Sequence, residues 1–273
     1  MRAGDLHIID GVPLQLVSRL KEDPKLTVIE TAGLGYRHIE MNCAKPPFDN
    51  MALRQAVAWA VNRTAVHQVV YVGTGALGYG PIPPRSWAYD PEGKVYGPVP
   101  DLAKAREKLA EGGQPRGFSF TLDVTNVPEE VKLAELLKEN LKVVGIEMRI
   151  ARMEGGAKLA RRRSGEFDAA TGGWSGRPHP DGNMYSHFMT EGMNNLRRYR
   201  HPQLDVLLKQ ARASFGMAER KRLYNEATRV IAQDAPVVFL HHESWQKAWR
   251  TAVAGYREIP DGRMRFEPVW LKE

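Results

Sequence analysis

Trp174, Ser175 and Arg177, set among Gly172, Gly173 and Gly176, are the residues whose types and spacing offer this chain the most chemistry. An indole supplies a broad apolar face with one N–H donor. A guanidinium supplies a planar fork that matches a carboxylate. Glycines let backbone amides come close to a ligand. Together these groups suit the wall of a ligand site. Plainer roles stay open for each: Trp174 as a core residue, Arg177 as a surface charge or an ion-pair partner of Asp181. Asp181-Gly182-Asn183 reads as a turn before it reads as a binding element.

No constellation for bond making accompanies them. The chain lacks G-x-S-x-G, a Walker A loop, H-E-x-x-H and the dinucleotide glycine fingerprint. Gly73-Thr74-Gly75 follows a helical pattern rather than a strand, so it is not read as a phosphate loop. His241 and His242 are adjacent, and neighbours on a strand face opposite sides. His179 and His187 could approach through their loop, but no third ligand is implied. The single cysteine, Cys43, rules out an intrachain disulfide and reads as a small buried hydrophobe. The expectation is no catalytic residue, no metal and no cofactor.

The elements that must position the Trp174 loop follow from periodicity. Phe167 to Thr171 is a short apolar run feeding the loop, the pattern of a strand ending at a cleft. In open α/β sheets ligands sit outside the carboxyl ends of strands. Phe118, Phe120, Leu122 and Val124 alternate with polar residues, as do Ile146, Met148 and Ile150. Between them Pro128 opens a helix with Val131, Ala134, Leu137 and Leu141 on its apolar face, closed by Gly145. That βαβ order implies a parallel pair, and a short helix over 156–163 leads on to the Phe167 strand.

Upstream, Asp49 to Val70 reads as one long helix, with Leu53, Ala56, Val57, Ala60 and Val61 in a stripe. Residues 78–100 form a Gly-, Pro- and aromatic-rich loop, either functional or a connector. Asp101 caps a helix that stops at Gly112-Gly113. Downstream, 202–213 and 217–233 are amphipathic helices, and Pro236 to Leu240 is a buried strand. Residues 1–36 are untidy: strand-like at 5–9, helix-like at 13–20, strand-like again at 25–30, with a further strand at 36–42. The tail from Glu243 returns to short alternating pieces.

The totals are those of a globular protein: 273 residues, 42% hydrophobic and 26% charged. No run approaches the roughly 18 apolar residues of a membrane span. MRAGDLHIIDG lacks the apolar stretch of a signal peptide, so the chain as written is expected to stay in the cytoplasm. The formal charge of +7 admits an anionic partner. A basic interaction domain binding an acidic partner such as nucleic acid is therefore the runner-up function, although no nucleic-acid motif accompanies the charge and none is expected to bind.

Longer stretches are more specific. Asn42, Pro47-Phe48-Asp49, Arg54-Gln55-Ala56 and Asn62-Arg63 resemble the signature segment of the family 5 extracellular solute-binding proteins, the peptide, oligopeptide and nickel receptors of ABC importers. The segment 78–84, the Asp101 helix, Gly145-Ile146, Phe167-Asp168 to Trp174, Tyr224, Asp234-Ala235-Pro236 and Val269-Trp270 follow in the family's order. The resemblance implies an α/β, periplasmic-binding-protein-like fold (type II, cluster C), a mixed sheet flanked by helices. Family members are about twice this length, with two lobes around a hinge. By that likeness residues 38–238 are the second ligand-binding lobe. Residues 1–37 and 239–273 are hinge and first-lobe remnants.

The implied function is the substrate-binding component, truncated, of an ABC importer for peptide-like solutes. It is non-enzymatic and periplasmic, with a membrane permease as partner. Self-association of the chain is also expected. Gly155, Arg162, Thr171, Gly173, Trp174, Ser175 and Arg177 would face the cleft. One departure stands out. Peptide receptors of the family carry an aspartate three residues after the tryptophan, pairing with the ligand's α-amino group, and here that position is Arg177. An anionic or differently oriented ligand follows from the reversed charge.

Overall fold

The computed structural model describes residues 6–259 and 261–272. Its strands are β1 (Ile8–Asp10), β2 (Leu26–Met41), β3 (Ala76–Leu77), β4 (Ser119–Thr125), β5 (Glu147–Met153), β6 (Ala169–Trp174), β7 (Val237–Arg250), β8 (Val253–Ala254) and β9 (Trp270–Leu271). Seven of them form one sheet in the order β1-β7-β2-β6-β4-β5, with β3 also on β7, while β8 and β9 pair separately. β4 is parallel to β5 and β6, and β2 is antiparallel to β6 and β7. The mixed α/β architecture expected from the sequence is the one observed.

The helices are α1 (Val17–Lys21), α2 (Met51–Ala60), α3 (Arg63–Ala65), α4 (Leu102–Glu111), α5 (Pro128–Lys142), α6 (Gly155–Ser164), α7 (Asp181–Phe188), α8 (Pro202–Ala213) and α9 (Met217–Asp234). Alternation in the strands divides them between two cores. Ile39, Met41, Phe120, Leu122 and Met148 join Leu53, Val57, Leu109, Leu133, Leu137 and Leu141 in one. Tyr36, Val237 and Phe239 join Met184, Phe188, Leu204, Leu208, Leu223 and Ile231 in the other. A small third cluster, Val12, Val17 and Ala248, packs at the far end of β7. Each fully buried aliphatic side chain of this kind contributes about 1.5–3 kcal/mol.

Four local expectations are corrected. The helix read over 49–70 stops at Ala60: Val61 is extended and Asn62 caps α3 by accepting from the Ala65 N–H at 2.9 Å. A π-turn over Val66–Val70 follows. The separate strands at 25–30 and 36–42 are one 16-residue strand, β2, whose register on β7 shifts between Ala32 and Tyr36. Gly33 and Gly35 occupy that irregularity, as glycines in a strand often do. The buried strand at 236–240 runs on to Arg250 as β7, so the tail is not all short pieces. Asp181-Gly182-Asn183 is the first turn of α7 rather than a free turn. The strand expected at 5–9 is β1 at Ile8–Asp10; Asp5, like Pro260 and Glu273 of the tail, lies outside the described residues.

Candidate functional site

The carboxyl ends of β4, β5 and β6 lie together, at Thr125, Met153 and Trp174. Helices α5 and α6 start immediately after β4 and β5. This edge is where ligands sit in open α/β sheets. Just beyond β6 the chain crosses in front of the sheet. Gly176, at φ +80°, is pressed so closely on Leu34 that an added Cβ would lie 2.1 Å from its carbonyl.

Asn183 locks that crossing. It is 1% exposed. Its Oδ1 accepts from the Trp174 Nε1–H at 3.0 Å and from the Arg177 backbone N–H at 2.7 Å, and its Nδ2 donates to the Arg177 carbonyl at 3.1 Å. The half-buried Trp174 ring meets His187 edge to face at 4.4 Å, and the Arg177 guanidinium lies 4.4 Å from the indole centroid. Arg177 also donates to the Ser175 hydroxyl and the Gly176 carbonyl. The structure thus presents Trp174, Ser175 and Arg177 as one shelf. Asp181 is not the partner of Arg177: it is held by Arg212 at 2.7 and 3.0 Å. Among the described residues Arg177 has no ion pair.

The other expected site residues are not part of this shelf. Thr171 and Gly173 lie on the opposite face of β6 from Trp174. Thr171 is 2% exposed and hydrogen-bonded into a closed group: Lys158 Nζ donates to its hydroxyl at 3.0 Å and to Glu130 at 2.7 Å, and the hydroxyl donates to Glu130. Burial raises the Glu130 carboxyl, but hydrogen bonds from Lys158, the Thr125 N–H and Thr171 outweigh it and hold it below its ordinary value. Arg162 is turned inward onto Glu40, which is fully buried and also meets Arg197 at 3.4 Å. Gly155 opens α6 with clear space where a side chain would be. Gly173 lets Arg37 lie across the strand, since an added Cβ would be 2.6 Å from its guanidinium.

A cavity of about 330 Å³ opens on the Thr171 face, lined among others by Arg37, Tyr71, Glu129, His241 and Glu243. Arg37 is paired with Glu243 at 2.5 Å. Tyr71 and His241 are stacked, 3.8 Å between centroids and 4° between planes. Burial, with His67 and His242 nearby, pushes the His241 imidazole down to about 3, so it is neutral. None of these residues carries a sequence signal. Arg37 and Glu243 lie 206 positions apart and meet only because β2 and β7 pair. No group of three or more metal-ligating side chains occurs among the described residues.

Residues 1–195 match the family model described as bacterial extracellular solute-binding proteins, family 5. Heme-binding protein A of Haemophilus influenzae is 30% identical over 98% of this chain and 50% of its own length. The dipeptide-binding protein of Escherichia coli is 30% identical over 94% of this chain and 49% of its own. Among solved structures, the periplasmic binding protein DppA of Helicobacter pylori in complex with the peptide STSA superposes with a TM-score of 0.88 at 29% identity, over the whole chain and 54% of that one. The oligopeptide-binding protein AppA of Bacillus subtilis, in complex with a nonapeptide, gives 0.87 at 26% identity. The chain spans about half the length of the curated relatives it matches. The nucleic-acid alternative finds no support among these proteins.

Proposed function

This chain belongs to the bacterial extracellular solute-binding proteins of family 5, and from that premise we propose that it forms one wall of an interlobe cleft in the receptor of an ABC importer for peptide-like solutes. The observation that carries the reading is the Trp174–Arg177 shelf beside an open cavity at the carboxyl ends of β4 and β6. Residues 38–238 are the ligand-binding lobe. The register shift where β2 leaves Ala32 supports a hinge there, because a bulge ends one regular ladder and starts another. Residues 1–37 and 239–273 belong to that hinge and the lobe beyond it.

Gly155, Gly173, Trp174, Ser175 and Arg177 face the solute, while Thr171 and Arg162 hold the wall in shape. A bound solute bridges two lobes and stabilises the closed receptor, the form that a membrane permease reads outside the cytoplasmic membrane. The protein is a receptor and not an enzyme.

A single wall covers about half of a small ligand, where complete sites bury roughly 70–90% of it. Titrating the ¹⁵N-labelled chain with alanyl-alanine is therefore expected to shift amides at 171–177 with a Kd on the order of millimolar. A micromolar Kd would show that this wall suffices alone. Shifts confined to residues away from the sheet edge would remove the cleft reading.

A further inference from the structure

Among the described residues, Glu129 and Arg177 of the cleft wall are exposed charges of opposite sign without an ion pair. In the cavity, the positive charge of Arg37 is taken up by Glu243, with Nε and Nη2 both 2.5 Å from Oε1. The negative charge of Glu130 is taken up by Lys158 and by the Thr171 hydroxyl. Glu129, beside it in the first turn of α5, is exposed and has no ion pair among the described residues. The net charge left in the cavity is negative.

Two further features of the cavity suit a cation. The half-buried Tyr71, stacked on His241, brings an aromatic ring to the cavity lining, and aromatic rings attract an ammonium group. His241 is 2% exposed, and its Nδ1 has no hydrogen-bond partner among the described residues. A buried polar atom left unpaired is costly, so a ligand that supplies the bond recovers that cost.

On the other side of the end of β6, Arg177 is exposed on Trp174, with no carboxylate paired to it among the described residues. The two sites adjoin at Gly35. A Cβ there would lie 2.6 Å from the Glu243 carboxylate and 2.4 Å from the Trp174 carbonyl, so the cavity's Glu243 lies close to the strand end that carries the shelf.

We propose that the wall is bipolar: the Glu129–His241 cavity takes the ammonium end of a zwitterionic solute, and the Arg177–Trp174 shelf takes its carboxylate. This rests on the cleft reading above and assigns the orientation of the solute within it. An anion in the cavity is disfavoured because Glu243 already occupies the guanidinium that would hold it.

Three probes of one size separate the ends: alanyl-alanine, its N-acetyl derivative without the ammonium, and alanyl-alaninamide without the carboxylate. Each is titrated into the labelled chain while the 171–177 amides and the His241 ring are followed. Acetylation and amidation are each expected to weaken binding by roughly fivefold, the scale of a partly exposed ion pair. Glu129→Gln is expected to abolish the discrimination against the acetylated probe only, and Arg177→Ala that against the amide only. Amide dispersion reports whether each variant is folded.

An acetylated probe that binds as well as the free dipeptide at the same residues overturns the bipolar assignment and leaves the cleft standing. Discrimination that survives Glu129→Gln also overturns it. If none of the three probes moves any residue of the wall, the cleft reading falls together with the proposal.

Discussion

Glu40 shows how the wall is stiffened one residue at a time. It is fully buried on β2 with Arg162 and Arg197 against it, and Arg197 is 1% exposed. Arg197 also donates to the His187 carbonyl at 2.8 Å and lies 4.7 Å from the Phe188 ring. Removing the carboxylate leaves a buried guanidinium without its counter-charge. Breaking such a pair from one side costs about 3–5 kcal/mol, far more than a surface pair. Glu40→Ala is therefore expected to lower unfolding free energy in urea by about that amount. Adding Arg197→Met in the same chain is expected to recover part of the loss, because the uncompensated charge goes with it. A loss below ~1 kcal/mol for Glu40→Ala would mean that water reaches Arg197. The same geometry explains why Arg162, whose position in the sequence suggests a ligand contact, spends its charge inside the protein.

At the scale of elements, the loop crossing is the part most sensitive to shape. Gly176 combines φ +80° with backbone contact to Leu34, so neither a rotamer change nor a flexible neighbour can make room for a Cβ. Gly176→Ala is expected to cost about 2–3 kcal/mol and to blunt the dipeptide-induced shifts at 174–177. A variant as stable as the parent in urea would show that the strand end and the crossing can part freely. Elements of this kind were unevenly legible in the sequence. α8 and α9 carry unbroken apolar stripes, and Pro202 marks the start of α8. Their limits at 202–213 and 217–234 match the reading almost residue for residue. The apolar stripe of Leu53 and Val57 continues at Val61, one residue beyond the last helical residue Ala60, so spacing alone predicts too long a helix. The sequence offers two short strands on either side of Gly33 and Gly35 where the structure has one, β2. The two glycines sit in a bulge held by β7, a partner some 200 residues away. Residue types single out Trp174, Ser175 and Arg177 with plainer roles left open, and the structure sets the three side by side. The cavity was not legible, since Arg37, Glu129 and His241 belong to three distant elements and share no spacing.

At the scale of the whole molecule, burial of neutral imidazoles ties stability to pH. His38, His187, His241 and His242 are all buried. Burial is the first cause in all four. It holds His187 and His241 down to about 3 and His242 to about 4, and it holds His38 well below its ordinary value, with Arg197 and Arg162 adding to the effect. In the unfolded chain each ring titrates near 6.5. Above that pH both states are neutral and the histidines leave stability unchanged. Below it the unfolded state binds protons that the folded state refuses, so stability falls with pH until the folded values are reached. From pH 7.5 to 5.5 one such ring costs about 1.4 kcal/mol, and the four together about 5 kcal/mol. This window lies above the range in which the lowered carboxylate Glu130 protonates, so the two effects separate along the pH axis. Urea unfolding at half-unit steps from pH 7.5 to 5.5 is expected to show that decline, and His242→Gln to flatten it by about one quarter. Stability that stays level over the range would mean that these rings take up protons in the folded state, and hence that water enters between β2, β6 and β7.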